Sequence, residues 1–374
     1  LFNFDQRVTL KLTHPQSFTL LHAAILFLIV CLIGEAFARS SFVQKYAPYQ
    51  AYGMNHTQLE IQLTNLDKFT RENGKPDCFI FGSSQAFREI DPEVFEQAYE
   101  SNGGEHLTCY NFGITGSQVS TTSILNKILI QKYKPRLVVI GTSFLDYTEG
   151  RELQIDDRFK ENDWLEYETG KFSINGWLLE NSYAWRFLTL VSYSAPFRMD
   201  YMEVLREAHK WDGEIASSGF ALSNAGVDPR VPVDEGFVKN LVGEFGHFGA
   251  SERNLSALEQ IILDSQAEGA KVLVAEMMYH PALLDLKDNS GNPRINHAKV
   301  LAFRKMINDR IRGITQKNNV AFLEFDPSLA VSNRGWYDLY HLNRTGAEIF
   351  SNWLGKIAVQ QVGPLPPTNT SEGN

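Results

Sequence analysis

Residues 77–84 read Asp-Cys-Phe-Ile-Phe-Gly-Ser-Ser. A short apolar run stops at a glycine and two serines, and a helical stretch follows. A buried strand hands over to a helix in this way at the edge of a parallel sheet. The same rhythm recurs outward from this point. Residues 107–112 form a second apolar run, followed by Gly113, Gly116 and a helix ending at Tyr133. Residues 136–140 form the third, closed by Gly141. Residues 271–275 form the fourth, after an amphipathic helix over 251–268. Residues 320–325 form the fifth, after a long helix over about 297–316, and a last helix covers 344–360. Short apolar strands alternating with helices predict an α/β fold whose five-stranded parallel sheet is covered on both faces.

Composition agrees with one large globular unit. The chain has 374 residues, 43% hydrophobic and 21% charged, so disorder, collagen and coiled coil are excluded as whole-chain descriptions. Lys plus Arg is 35 and Asp plus Glu is 44, a net charge of −9 that argues against a nucleic-acid partner. Three cysteines make no disulfide framework, and Cys78 and Cys109 read as two buried thiols within strands. No cofactor or metal is expected. The first strand is followed by neither a Walker loop nor a Gly-x-Gly-x-x-Gly turn, and His and Cys lack ligand spacing.

Residues 18–34 read FTLLHAAILFLIVCLIG, and the apolar character runs on to Ala38, broken by Glu35. A run of about 20 apolar residues spans the hydrocarbon core. No polar stripe marks it as a core helix. Ala36-Phe37-Ala38 fits a signal-peptide cleavage pattern, but the run is long for one, so an uncleaved anchor over 18–38 is expected. Arg7 and Lys11 precede it while Arg39 and Lys45 follow, so flanking charge does not orient it. The expected organisation is a cytoplasmic segment 1–17, the span, and a stalk over 39–75 holding a helix at 58–73. The α/β domain follows over 76–362, and a disordered tail over 363–374.

Residues 150–250 break the strand–helix rhythm and hold Trp164, Trp177, Trp185 and Trp211, four of the six tryptophans. They read as an insertion after the third strand. Its aromatics either build its own core or stack on a sugar, and the insertion itself is placed to cap a site at the strands' carboxyl ends. Asn55, Asn254, Asn343 and Asn369 fit glycosylation triplets, read as incidental.

The chemistry-bearing residues collect at that same edge. Ser84 follows the first strand and opens a helix. Gly116 follows the second strand, where a glycine lets a backbone N–H approach a ligand. Ser143 follows the third in Gly-Thr-Ser. Asp338-Leu-Tyr-His341 follows the last strand and leads into the last helix. A serine nucleophile needs a neutral imidazole as base, and the imidazole needs a carboxylate to fix its tautomer. An Asp three residues before a His in a loop can reach the same ring. His280, after the fourth strand, reads as a structural residue.

Together these blocks resemble the SGNH (GDSL) hydrolase family over about residues 76–150 and 250–360. Phe81-Gly-Ser-Ser84 is similar to the first block, with Ser84 as nucleophile. Gly116 matches the second-block oxyanion donor, Gly141-Thr-Ser143 the third block, and Asp338 with His341 the D-x-x-H block. The resemblance implies a flavodoxin-like three-layer α/β/α fold and serine esterase chemistry. Two positions depart from the pattern: Ser83 replaces the usual Asp, and Ser143 the usual Asn oxyanion donor. Gly-Ser-Ser with one N-terminal membrane helix is similar to a subset that includes alginate O-acetylation and teichoic-acid D-alanylation proteins. That likeness implies an extracytoplasmic domain, an acylated glycan or acyl donor as substrate, and a multispanning membrane acyltransferase as partner. The alternative is a weakly active or inactive subunit for binding or assembly in an envelope complex, motivated by Ser83 and Ser143.

Overall fold

The computed structural model describes residues 14–47, 49–54, 56–149, 162–193, 201–222, 249–285, 296–326 and 328–367. The helix α1 (His14–Ala38) carries the apolar run. Its segment Phe18–Ala38 has mean hydropathy 2.4, is largely exposed with Ala38 buried at its end, and is long and apolar enough to cross a membrane. Ser40 caps the short α2 (Ser41–Tyr46).

The next helix, α3 (Thr57–Asn73), corrects the expected stalk. Leu59, Leu63, Leu66 and Phe69 recur at helical spacing and are buried in the main core beside Phe79 and Tyr110. Its polar residues are buried as well. Glu60 Oε1 accepts from the Tyr52 N–H (3.0 Å), the Met54 N–H (3.0 Å) and the Tyr193 hydroxyl (2.7 Å). Gln62 Nε2 donates to the Gly219 carbonyl at 2.8 Å. Glu60 Oε1 and both ends of the Gln62 amide are partnered, which lets a helix of polar composition belong to the folded domain.

The alternation then unfolds as expected. The elements are β1 (Cys78–Gly82), α4 (Ser84–Glu89), α5 (Pro92–Ser101), β2 (Cys109–Asn111), α6 (Val119–Tyr133) and β3 (Leu137–Thr142). The connection to the fourth strand carries α7 (Asp163–Glu168), α8 (Ile174–Asn181), α9 (Tyr183–Tyr193), α10 (Tyr201–Asp212) and α11 (Glu252–Ala267). Then come β4 (Lys271–Glu276), α12 (His297–Lys317), β5 (Ala321–Leu323) and α13 (Arg344–Val362). The strands pair in parallel in the order β2-β1-β3-β4-β5. This is the flavodoxin-like order, whose reversal point lies between β1 and β3. Alternate residues of each strand serve opposite faces. Phe79, Phe81, Val138, Ile140 and Val274 join one core with α6 and α11; Ile80, Val139 and Leu273 join another with α5 and α13. Cys78 and Cys109 stand opposite each other in register, both free, and burial pushes both thiols up.

The β3–β4 connection is helical where it is described. Trp164 is buried, edge-on to Tyr52 at 5.1 Å, and Trp211 lies 6.3 Å from Phe87, so these two build a core. Trp177 and Trp185 are exposed. Beyond α10 the chain returns along the edge strand: the Asn111 N–H donates to the Ser218 carbonyl at 2.9 Å and the Ala221 N–H to the Phe87 carbonyl at 3.1 Å. The first bond covers a backbone group that the edge strand β2 would leave open, and the second ties the returning chain to α4. The expectations for 1–13, 150–161 and 223–248 lie outside the described residues.

The tail also needs correction at its start. Leu365 is buried, and the Pro366 carbonyl accepts from Arg136 Nε at 2.6 Å, so residues 363–367 pack on the domain. The remainder, 368–374, lies outside the described residues. Asn55 and Asn369 do too. Asn254 and Asn343 are buried and hydrogen-bonded, closed to a glycan in the folded chain.

Candidate active site

The place of Ser84 is set by glycine. Gly82 ends β1 at φ +153°, and a Cβ there would stand 2.3 Å from the Gly141 carbonyl oxygen and 2.6 Å from Ala86 Cβ. Only a bare backbone lets α4 start so close to the ends of β1 and β3. Gly113 plays the same part on the other side, where a Cβ would meet the Phe87 N at 2.5 Å. The first residue of α4 is Ser84, at the carboxyl edge of the sheet.

Three expected residues meet there. Ser84 Oγ lies 2.8 Å from His341 Nε2, and His341 Nδ1 lies 2.8 Å from Asp338 Oδ2. With the Nδ1 proton directed at the carboxylate, Nε2 is left to accept from the serine hydroxyl. The other oxygen, Oδ1, accepts from the backbone N–H groups of Tyr340 and His341, each at 2.7 Å. Burial alone would raise the Asp338 carboxyl; the bonds from the imidazole and the two N–H groups outweigh it and hold it below its ordinary value.

The two remaining residues are placed differently. Gly116 is exposed, in a turn at φ +74°. The turn's own bonds run from the Thr115 N–H to Gln58 and from the Ser117 N–H to the Ile114 carbonyl. Ser143 is buried. Its hydroxyl caps a short 3₁₀ turn, Phe144–Tyr147, while its N–H donates to Asp146 at 2.8 Å. The Tyr340 hydroxyl also donates to Ser143 Oγ, at 3.2 Å. So Ser143 ties the β3 edge to the residue beside His341, a role its spacing did not predict. The hydroxyl of Ser83 makes no cap bond.

A buried polar layer beneath the triad escaped the sequence reading. Gln85 Nε2 donates to the carbonyls of Met278 (2.6 Å) and Tyr340 (3.1 Å), which joins the helix of Ser84 to the loop of His341. Glu89, one turn on, accepts from the Met278 N–H at 2.9 Å. Burial, with smaller help from the charge of Asp338, pushes the Glu89 carboxyl well above its ordinary value. Asn111 Nδ2 donates to the Ala86 and Ile90 carbonyls at 2.8 and 2.7 Å. The available signal was Gln85 and Glu89 at i and i+4, flanking the apolar Ala86 and Phe87. From the far side Asn343 caps α13 through Thr345 and Gly346, and donates to the Arg334 and Trp336 carbonyls. His280 is structural, as read: its backbone N–H donates to Leu339 and its Nε2 lies 3.0 Å from Asn333 Oδ1.

A hydrogen-bonded Ser–His–Asp set of this kind can activate an alcohol for attack on an acyl carbonyl. No family model matches the chain, and no curated protein matches it. Among solved structures the chain is similar to a lipase/acylhydrolase from Enterococcus faecalis at 12% identity and TM-score 0.36, covering 78% of this chain and 98% of that one. It is similar to a GDSL-like lipase from Bacteroides thetaiotaomicron at 13% identity and TM-score 0.34, covering 79% and 97%. It is also similar to a catalytic mutant of an acetylxylan esterase from Geobacillus stearothermophilus at 12% identity and TM-score 0.34, covering 78% and 95%.

Proposed function

We propose that the chain is an SGNH-type serine esterase or O-acyltransferase, anchored by α1, acting on acyl esters of a cell-surface polysaccharide. The observation that carries this reading is the unbroken hydrogen-bond line Ser84–His341–Asp338. Ser84 Oγ bonds to the acyl carbonyl carbon while its proton passes to His341 Nε2. Asp338 holds the ring and stabilises the imidazolium. The negative oxygen of the tetrahedral intermediate takes the N–H groups of Ser84 and Gly116, with the Ser143 hydroxyl as a third donor. Collapse breaks the ester bond, and His341 returns the proton to the departing sugar oxygen. The acyl-Ser84 ester is then taken by water, giving the free acid, or by a second sugar hydroxyl, giving a new ester. Either acceptor surrenders its proton to His341 as it adds to the carbonyl carbon, and His341 passes that proton to Ser84 Oγ as the acyl–Oγ bond breaks.

The span at 18–38 favours a polymer made or modified at the membrane, with the domain outside the cytoplasm and a multispanning acyltransferase supplying acyl groups. The intact triad distances favour catalysis over a binding-only subunit. Two experiments test the reading. Full-length protein in lipid discs is given an O-acetylated polysaccharide, and release of acetate or its transfer to added sugar is followed. Release or transfer that disappears in Ser84→Ala supports the proposal; neither product with any acylated glycan contradicts its substrate class. Protease added to intact cells should cleave the domain, and full protection would contradict its extracytoplasmic placement.

A further inference from the structure

We propose that the outer face of α8 and α9 lies in the lipid interface of the membrane that α1 crosses, holding the catalytic domain flat against the bilayer by a second contact beside the anchor. This rests on the reading of α1 as a membrane span.

The first observation is a clamp. Glu35 sits in the last turn of α1. Its carboxylate accepts from the Ser182 hydroxyl at 2.8 Å and from the backbone N–H groups of Tyr183 and Ala184, each at 3.0 Å. Arg39 Nε donates to the same carboxylate at 2.7 Å, and the Arg39 guanidinium lies 4.2 Å from the centre of the Tyr183 ring. The Tyr183 hydroxyl in turn accepts from Arg71 of α3 at 2.8 Å. The one acidic residue in the apolar run thus caps α9. The start of α9 is fixed at the level where the span ends, and a polar joint of five groups resists rotation of the domain about the anchor.

The second observation is what that fixed surface displays. On α9, Arg186 and Leu190 face inward while Trp185 and Leu188 (56% exposed) face outward. At the start of α8, Phe172 is 73% exposed and Ile174 70%, with Trp177 exposed on the next turn. Trp185 Nε1 donates to Asn175 Oδ1 at 2.7 Å, which sets the two helices' outer residues side by side. Large apolar side chains grouped on one face mark an interaction surface. Tryptophan, with an apolar body and one polar N–H, is the residue enriched where hydrocarbon meets headgroups. This face begins at the membrane helix itself, so the bilayer is the nearest apolar phase that can cover it. Phe37 and Phe42, both exposed with ring centres 6.4 Å apart, mark the same level at the turn out of α1.

The consequence is functional. A domain held by one span could stand off or tilt; a domain with two contacts presents Ser84 at a set height and angle, suited to a substrate still attached to a membrane carrier.

The test is tryptophan quenching in full-length protein reconstituted into vesicles of phosphatidylcholine and phosphatidylglycerol, with or without bromine on the acyl chains. Brominated lipid is expected to quench wild type at least twofold more than Trp177→Phe/Trp185→Phe. Leu188→Trp places a further reporter on the same face, and its added emission is expected to be quenched; it also covers failure of the double variant to fold. Equal quenching of wild type and the double variant, with the Leu188→Trp emission unaffected, would overturn the proposal. So would quenching absent in pure lipid when the same tryptophans become shielded on adding a membrane protein partner, which assigns the face to protein. Alkaline carbonate extraction of the same vesicles separates the two readings. A chain that stays embedded but shows no difference in quenching sinks this proposal alone, whereas a chain released by carbonate sinks the anchor with it.

Discussion

The carboxyl edge of the sheet and the helical β3–β4 connection are both rich in apolar residues, yet they spend them in opposite ways. Along the sheet, Phe79, Ile80, Val139 and Leu273 are sealed on both faces, and the amide nitrogens of Gln85 and Asn111 beside them each donate to two carbonyls. In the connection, Trp164 and Leu165 are sealed in the same manner, but Phe172, Ile174, Trp177 and Leu188 remain at the surface. Rigidity is concentrated where geometry must hold to fractions of an ångström, as a catalytic hydrogen-bond line requires. Apolar surface is left uncovered on the face proposed above to meet lipid. On the two proposals, the difference separates a part that does chemistry from a part that locates it, and substitutions in each should leave the other intact.

The largest effect is expected at the nucleophile. Ser84→Ala should lower ester turnover by ~10⁴-fold or more while the melting temperature stays near wild type, because the hydroxyl's removal costs little packing. Turnover of p-nitrophenyl acetate with a parallel melt checks both halves. Asp338→Asn is expected to lower turnover by ~10³–10⁴-fold, because an amide at that position favours the wrong imidazole tautomer. It has a second, pH-dependent signature. The folded Asp338 carboxyl is held below its ordinary value, so its stabilisation is present above about pH 4, the unfolded value, and is lost as pH falls through the folded value. The stability gap between wild type and Asp338→Asn should therefore be full at pH 7 and shrink below about pH 4 in denaturant titrations.

Gln85→Ala probes the joint between the nucleophile's helix and the histidine's loop. It leaves two buried carbonyls without their donor, at about 1–3 kcal/mol each. A fall in melting temperature is expected together with a fall in kcat larger than any change in KM. A change in KM alone would contradict a positioning role.

The smallest expected effect lies away from the site, at Glu60. Burial raises this carboxyl to about 7. The folded chain then keeps the proton through a range where the unfolded chain, at ~4.3, has released it. Stability is therefore lost as pH rises from about 4 to 7. All three donors converge on Oε1, which a glutamine oxygen can replace. Glu60→Gln should match wild type near pH 4 and exceed it at pH 8, by up to ~3 kcal/mol. Equal stability at pH 8 would mean that Glu60 is not protonated in the folded chain.

The sequence was legible where a single local rule decides the outcome. Short apolar runs marked all five strands, the first three of them followed by glycine, and Ser84, Asp338 and His341 were found because position and chemistry coincided at strand ends. Gly116 was legible only as a backbone N–H able to approach a ligand, and its positive φ was not read. Residues whose role depends on distant partners were not. Gln85 and Glu89 look like ordinary helix residues until Met278 and Tyr340 are brought against them. Ser143 was legible as a candidate donor, but its link to Tyr340, which spans 197 positions, was not. Helix 57–73 looked like a solvated stalk because Glu60 and Gln62 mask its Leu59–Leu63–Leu66 stripe, and only tertiary hydrogen bonds make their burial tolerable.

The most direct test of the central claim is to trap the acyl-enzyme. Full-length protein in detergent is mixed with p-nitrophenyl acetate, quenched in acid, and measured by intact mass and peptide mapping. The account predicts an acetyl adduct on Ser84, absent in Ser84→Ala and strongly reduced in His341→Ala. An adduct on another residue, or an equal adduct in Ser84→Ala, would contradict it.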